Sequence, residues 1–497
     1  MMVRKLVALA FIWGSILFAN GYCESAVPVF AATEAVNEYF QMDGTVLVKY
    51  TGNEEYVVIP DGVTEIGEEA FYDCDTMKRI EIPNTVTKIG KQAFARCDKL
   101  EKVVLPNQLK TIEYNLFELC RNLKEIVIPD SVTSIEYGGL QGTAIKTIKI
   151  PNSVTRIEYC AFYNCAELEE VVLPNKLKKI RPWLFEECTK LKKVVIPDSV
   201  TAIGDDAFCA CEALETLNIP KSVKRIDGGF SEDSPWWKEQ VKKSPLVIIN
   251  DNLVKVSYYK EEYGEKLVIP KGVKRISRYA ITGKGTAYID KIEIPNTVTA
   301  IGDGAFYYRR DMKEIVIPNS VTKIGDSLFS NCRELEKVKL SNKLKTIPEL
   351  TFADCRSLKQ VTIPESVTTI EDQAFFNCIK LKDIVCSNNI KDAKDGFWDD
   401  FVIHAPKGSY MEKEVRKYNT TSTFKPLAIN KTKATIKTRG TVQLNVATDT
   451  TDTTWKSSNS SIASVSSSGK VTGKKKGTAT ITGTLYGKKY TCVVKVV

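Results

Sequence analysis

The 497-residue chain predicts an α/β solenoid, with one short strand and one helical turn per repeat, followed by a small all-β sandwich. Three observations lead there. The dipeptide Ile-Pro or Leu-Pro recurs at a spacing of 23 residues through most of the chain. Apolar residues alternate just before each proline. From Leu427 onward that period gives way to short Thr- and Val-rich alternating stretches between Gly and Ser turns. A fixed period of this size marks stacked repeats, not a set of independent globules. Charged residues at 26% and hydrophobic ones at 43% exclude a disordered chain, a collagen and a polytopic membrane protein.

The amino end reads as a targeting segment. Arg4 and Lys5 precede an uncharged apolar run from Leu6 to Phe18, too short at 1.5 Å per residue to cross a bilayer core. Small residues at Val29-Phe30-Ala31 then predict a Sec-type signal peptide over residues 1–31, cleaved after Ala31 or Ala32, and therefore a secreted or cell-surface protein.

The repeat prolines run Pro60, Pro83, Pro106, Pro129, Pro151, Pro174, Pro197 and Pro220, then Pro270, Pro295, Pro318, Ser341 in register, and Pro364. One unit shows the logic. In Leu100-x-x-Val103-x-Leu105-Pro106, Val103 and Leu105 alternate and point to one face of a short strand. Pro106 lacks an N–H and ends it. Leu109 and Ile112 return the chain inward, and Phe117 and Cys120, three apart, are predicted to share one side of a helical turn. About seven inward positions per repeat cannot form a core alone, so each unit needs its neighbours.

This pattern resembles the BspA-like class of bacterial leucine-rich repeats, over about residues 40 to 420. The resemblance implies a right-handed solenoid with a strand-lined concave face. It also implies adhesion to host extracellular-matrix proteins or to other cells. The boundaries expected are an N-terminal cap and first repeat block at 32–220, an insertion with a hairpin at 221–269, and a second block with a C-terminal cap at 270–419. A linker at 420–426 leads to residues 427–497. The stretch from Asp43 to Val63 resembles that from Asn252 to Val273, so the solenoid is predicted to start twice.

Nine cysteines share one repeat position: Cys74, Cys97, Cys120, Cys165, Cys188, Cys211, Cys332, Cys355 and Cys378. Three residues after an inward Phe, they read as buried free thiols, with no disulfides expected. Parallel Cβ vectors on adjacent rungs suit the disulfide dihedral poorly, although an exported protein meets oxidising conditions. No metal site or cofactor is predicted: paired Cys-x-x-Cys motifs are absent and His404 is the one histidine. A structural role is expected for His404. With no G-x-S-x-G, H-E-x-x-H or P-loop either, the chain does not read as an enzyme.

Residues 427–497 are similar to a bacterial Ig-like domain of group 2, through Trp455-Lys456-Ser457-Ser458-Asn459, Ile462-Ala463-Ser464-Val465 and Gly477-Thr478-Ala479-Thr480-Ile481. They hold twelve Lys or Arg against Asp449 and Asp452, a net of +10, while residues 32–426 sum to −2. Lys474, Lys475, Lys476, Lys488 and Lys489 are the densest runs. An anionic cell-wall polymer is a reasonable docking partner for them; charge that merely solubilises the module is the plainer alternative. Nucleic acid is disfavoured by the compartment.

The outward strand position between the two inward ones reads Glu81, Val104, Val127, Lys149, Val172, Val195 and Asn218 in the first block, and Glu293, Val316, Lys339, Thr362 and Val385 in the second. An apolar strip of this kind can mark a protein contact, though valine is also simply a good strand former. Val104, Val127, Lys149, Val172 and Val195 are the candidate ligand residues. Trp236 and Trp237 join them as a pair able to stack on a sugar ring, or to pack the insertion down. The function expected is a non-catalytic capture surface for an extracellular host or matrix protein or a cell-surface glycan. The alternative is a passive spacer or coat component.

Overall fold

In the computed structural model the described residues are 38–257, 266–282, 289–394, 401–417, 422–448 and 453–497. The expected signal peptide lies outside them. Each rung carries a three-residue strand and a two-residue strand on two separate sides of a stack. Long strands such as Arg79–Glu81, Lys102–Val104 and Glu125–Val127 pair in parallel, rung on rung, so that Glu81, Val104 and Val127 stand in one row. Short strands such as Thr111–Ile112, Ser134–Ile135 and Arg156–Ile157 do the same on the second side.

The third side corrects the expectation of a helical turn. Among the described residues no helix forms in the repeats; the segment is a run of tight turns. Glu69 and Asp73 take φ of 55° and 62°, and the same two places are left-handed in the next rung at Gln92 and Arg96. A left-handed residue every fourth position cannot sit in a right-handed helix. The backbone is satisfied differently. Cys74 N donates to Phe71 O within the turn, while the Glu69, Phe71 and Asp73 amides donate to Lys91, Ala93 and Ala95 carbonyls of the next rung. A β-turn brings residues three apart together as a helix does, so the Phe-x-x-Cys spacing alone could not separate the two.

The core is a ladder of identical positions. Phe71, Phe94 and Phe117 stack at ring-centroid distances of 5.1 and 5.5 Å, Phe162, Phe185 and Phe208 at 5.6 and 5.7 Å, and Phe306, Phe329, Phe352 and Phe375 at 5.3 to 5.6 Å. The cysteines do more than fill space. Eight of the nine thiols at the repeat position reach back one rung to a carbonyl, among them Cys97 to Phe71 O at 3.1 Å, Cys188 to Phe162 O at 3.1 Å and Cys355 to Phe329 O at 3.2 Å. All thirteen described cysteines are free. Burial raises the Cys165 thiol to a pKa of about 11 and the Cys332 thiol to about 12.

The double start appears as two like hairpins. Phe40–Asp43 pairs antiparallel with Val46–Tyr50, and Leu246–Ile249 with Asn252–Val256, each with a bulge at the same step. The inner strand of each then begins a parallel short-strand ladder. Two hydrophobic clusters follow, one running from Phe40 to Val254 and one from Leu253 to Met411. The helix Tyr410–Lys417 closes the second, and Thr423–Pro426, within the expected linker, adds a parallel strand beside Val402–Ala405. Beyond it, the sheet of Lys433–Ile436, Lys488–Val496, Gly477–Leu485 and Thr454–Ser457 faces a three-stranded sheet, the predicted sandwich.

Candidate functional site

The valine row lies where the alternation placed it. Val104, Val172 and Val195 are 50 to 55% exposed and Val127 71%, while their strand neighbours Val103, Val171 and Val194 are buried. Register aligns Lys149, Val172, Val195 and Asn218 as strictly as it does Glu81, Val104 and Val127. Ion pairs between rungs, Lys102 to Glu125 at 2.7 Å and Lys192 to Glu169 at 2.7 Å, keep the row's flank polar.

Between the two halves of that row the long-strand sheet is interrupted: one ladder ends at Glu125–Val127 and the next begins at Thr147–Lys149. Two residues, Arg121 and Asn122, separate Cys120 from Leu123, but only Ala144 separates Thr143 from Ile145. The short-strand ladder on the second side runs on across this step, and the long-strand ladder also breaks at two 23-residue steps of the second block, after Lys291–Glu293 and after Lys337–Lys339. A cavity of about 620 Å³ opens at the first-block break, lined by Ile126, Val127, Ile148, Lys149, Asn152 and Lys176 among others. Ile126, unlike its counterparts Ile80 and Val103, is only half-buried. Ser153 at the rim keeps a buried hydroxyl without a partner, as do the equivalent Ser222 and Ser320 of rungs away from the notch, whereas Ser131 and Ser199 bond to Leu109 and Leu177 carbonyls. Val127 and Lys149 thus flank a notch that only the single 22-residue step in the sequence hinted at.

Other candidate residues are placed differently. Trp236 and Trp237 are buried, 9% and 3% exposed, against Phe230. They end the second phenylalanine stack on the first core, and their ring faces are not available to a sugar. Val385 is fully buried: with Val446, Leu485 and Tyr490 it forms a small core between the last long strands and the sandwich, and the Tyr486 hydroxyl donates to Ile363 O at 2.6 Å and Val385 O at 3.1 Å. His404 is buried with Nε2 2.7 Å from Asp383 Oδ1.

The five lysines do not make one patch. Lys474–Lys476 precede the strand Gly477–Leu485 and Lys488 opens the next, and the register pairs Gly477 with Val496 and Leu485 with Lys488. The two runs therefore lie at opposite ends of a nine-residue hairpin, roughly 27 Å apart. Lys437 and Arg439 join the Lys474 end, where Arg439 N donates to Gly473 O and Gly473 N to Gly440 O. All twelve basic side chains of the module are exposed.

Among the described residues no group of three or more His, Cys, Asp and Glu side chains could hold a metal ion, and no helix is long and apolar enough to cross a membrane. The model of the BspA type leucine-rich repeat region matches residues 47–169, 120–235, 155–286 and 274–400, most of the chain between its first hairpin and the terminal rungs. The chain belongs to the BspA-type leucine-rich repeat family. The model of the bacterial Ig-like domain, group 2, matches residues 423–494, so the basic sandwich following the BspA-type repeats is that module. Among solved structures, a leucine-rich repeat protein from Bacteroides ovatus is 26% identical, with 77% of this chain and 94% of that one covered and a TM-score of 0.40. A leucine-rich cell surface protein from Faecalibacterium prausnitzii is also 26% identical, covering 80% and 98%, with a TM-score of 0.38. The T. pallidum leucine-rich repeat protein is 33% identical over 37% of this chain and 90% of its own, with a TM-score of 0.34. No curated protein matches the chain.

Proposed function

We propose that this BspA-type protein is an exported or surface-held, non-catalytic binding protein that captures an extracellular protein through the long-strand face of its first block. Val104 and Val127 on one side of the notch, and Lys149, Val172 and Val195 on the other, form the contact. The observation that carries the reading is the notch itself. A regular spacer needs no cavity in its face, whereas here exposed valines, a half-buried isoleucine and two lysines line one of about 620 Å³ at the centre of the row. A preformed sheet of this kind captures a partner with little reorganisation cost. The second block offers less, since the Ig-like module covers its last long strands. The mature chain and its Val127→Lys/Val172→Lys variant, tested for retention on immobilised host extracellular-matrix proteins, decide the matter. Retention lost with an unchanged melting temperature is expected; retention unchanged, or absent for both, favours the passive spacer.

The basic module is proposed to hold the protein on an anionic wall polymer through its Lys437, Arg439 and Lys474–Lys476 end. Salt extraction from cells should then follow charge reversal at Lys475 and Arg439, and not at Lys488 and Lys489, which lie at the solenoid end. Retention indifferent to high salt removes this contact.

A further inference from the structure

A second surface, on the corner where the short strand passes into the turns, carries a feature the repeat does not require. Eight residues after the repeat proline most rungs are charged, from Glu68 and Lys91 to Asp326, Glu349 and Asp372. Three consecutive rungs instead place Tyr114, Tyr137 and Tyr159 there, and the fourth has Pro182 followed by Trp183. Tyr114, Tyr137 and Trp183 are 41, 40 and 39% exposed, and Tyr159 is half-buried. Tyr114 and Tyr137 stack at 5.3 Å with 15° between planes, and Tyr159 and Trp183 lie 6.1 Å apart at 44°.

Packing does not explain the row, because these rings lie outside the phenylalanine ladder and the equivalent places elsewhere are filled by solvated charge. The polar companions are ordered. Arg156 pairs with Glu136 and with Glu158, and Arg181 pairs with Glu158 at 3.3 Å while its guanidinium lies 5.4 Å over the Tyr159 ring. Rigid amphipathic rings held by cross-rung ion pairs supply contact area at small entropic cost.

We infer that this row is a carbohydrate site for an uncharged, extended β-1,4-linked pyranose chain, independent of the valine face. Ring edges would cover the apolar C–H patches of successive sugars, and phenol hydroxyls with the Glu113, Glu136 and Glu158 carboxylates would meet their hydroxyls at the rung repeat of ~4.8 Å, close to one sugar of an extended chain. The carboxylates, three against Arg156 and Arg181, disfavour a polyanion. A straight row fits a ribbon-like glycan and not an α-linked chain that curls.

The test uses the mature chain and three soluble hexasaccharides, β-1,4-linked glucose, β-1,4-linked N-acetylglucosamine and α-1,4-linked glucose, followed by titration calorimetry and tryptophan emission. The inference requires saturable binding of at least one β-linked hexamer with a change in emission. It also requires a loss of about tenfold or more in Tyr137→Ala/Trp183→Ala, two aromatic contacts removed. Tyr137→Phe, which keeps the ring, retains most of the affinity, and Val127→Lys all of it. Binding of neither β-linked hexamer, equal binding of the α-linked one, or full binding by a double variant with native circular dichroism overturns it.

Discussion

Replacing Phe329 by alanine tests whether stacked rungs, each covered by its neighbours, hold this molecule together. Phe329 has no solvent exposure and lies between Phe306 at 5.6 Å and Phe352 at 5.4 Å, with its carbonyl accepting the Cys355 thiol. Deleting a buried Phe side chain costs about 3–5 kcal/mol through lost transfer energy and the residual cavity. Two stacked partners on rigid backbones place this site at the upper end, ~4–5 kcal/mol. Val316→Ala, on the same block but 57% exposed, should stay within about 0.5 kcal/mol. Among the described residues the two cores meet along the hairpin from Leu246 to Val254, so differential scanning calorimetry should show Phe329→Ala lowering one transition while a second, assigned by Phe185→Ala, hardly moves. A Phe329→Ala cost below about 1 kcal/mol would refute the stack as the source of stability. A single transition shifted as a whole would refute the division into two blocks.

Alkali should destabilise the chain before its lysines titrate. Burial raises the pKa to about 11 for Cys165 and about 12 for Cys386, against about 8.5 in an unfolded chain. Above that lower value the unfolded state loses protons that the folded state keeps, so stability falls with rising pH, by up to ~1.4 kcal/mol per pH unit for each such thiol. A melting temperature flat between pH 8 and 10 contradicts this. Tyr486→Phe removes the hydroxyl that donates to Ile363 and Val385 carbonyls and should loosen the Ig-like module at a cost of about 1 kcal/mol. Small-angle scattering should then show a larger radius of gyration, and an unchanged profile would mean the apolar contact around Leu485 and Tyr490 suffices.

Much of this was legible in the residues because a solenoid repeats one local solution. The inward Val103 and Leu105, the outward Val104, the buried Cys120 and the second hairpin at Asn252 all follow from period and alternation. What escaped the sequence depends on geometry that spacing does not encode. The Phe71 to Cys74 interval fits a helix and a β-turn alike, and the left-handed places that decide between them hold glycine at Gly138 and Gly142 of one rung but Glu69 and Asp73, or Gln92 and Arg96, on others. For Trp236 and Trp237 the sequence leaves packing the insertion down and stacking on a sugar both open, because nothing in the chain says that Phe230 ends a stack beneath them. Lys476 and Lys488 are close in sequence and far apart in space because a nine-residue strand runs between them. Val385 alternates like Val316, but a different domain covers it. The row of Tyr114, Tyr137 and Tyr159 was visible in principle once the rungs are aligned on their prolines.

The two starts bear on which part of the molecule meets a partner. At one end of the first core Phe40 and Tyr50 cover Phe71, and at the other Phe230, Trp236 and Trp237 cover Phe208, so this block is closed by aromatic rings on both sides. The junction is stitched by polar groups instead: Asn252 Oδ1 accepts from Ile226 N at 3.2 Å, Ser277 Oγ donates to Ile226 O, and Arg275 reaches Asp227 at 3.3 Å. Such bonds fix direction but add little apolar burial, which keeps the second block in line with the first without merging the cores. Recognition surfaces tolerate irregularity best on a unit whose stability is secured at both ends. The short rung at Thr143–Ile145, where both the strand ladder and, through Leu140, the phenylalanine stack break, sits in the middle of the doubly closed block. The second block breaks its long-strand ladder too, after Lys291–Glu293 and after Lys337–Lys339, but its phenylalanine stack runs unbroken from Phe306 to Phe375 and its last strands lie under the Ig-like module, which suits attachment better than capture.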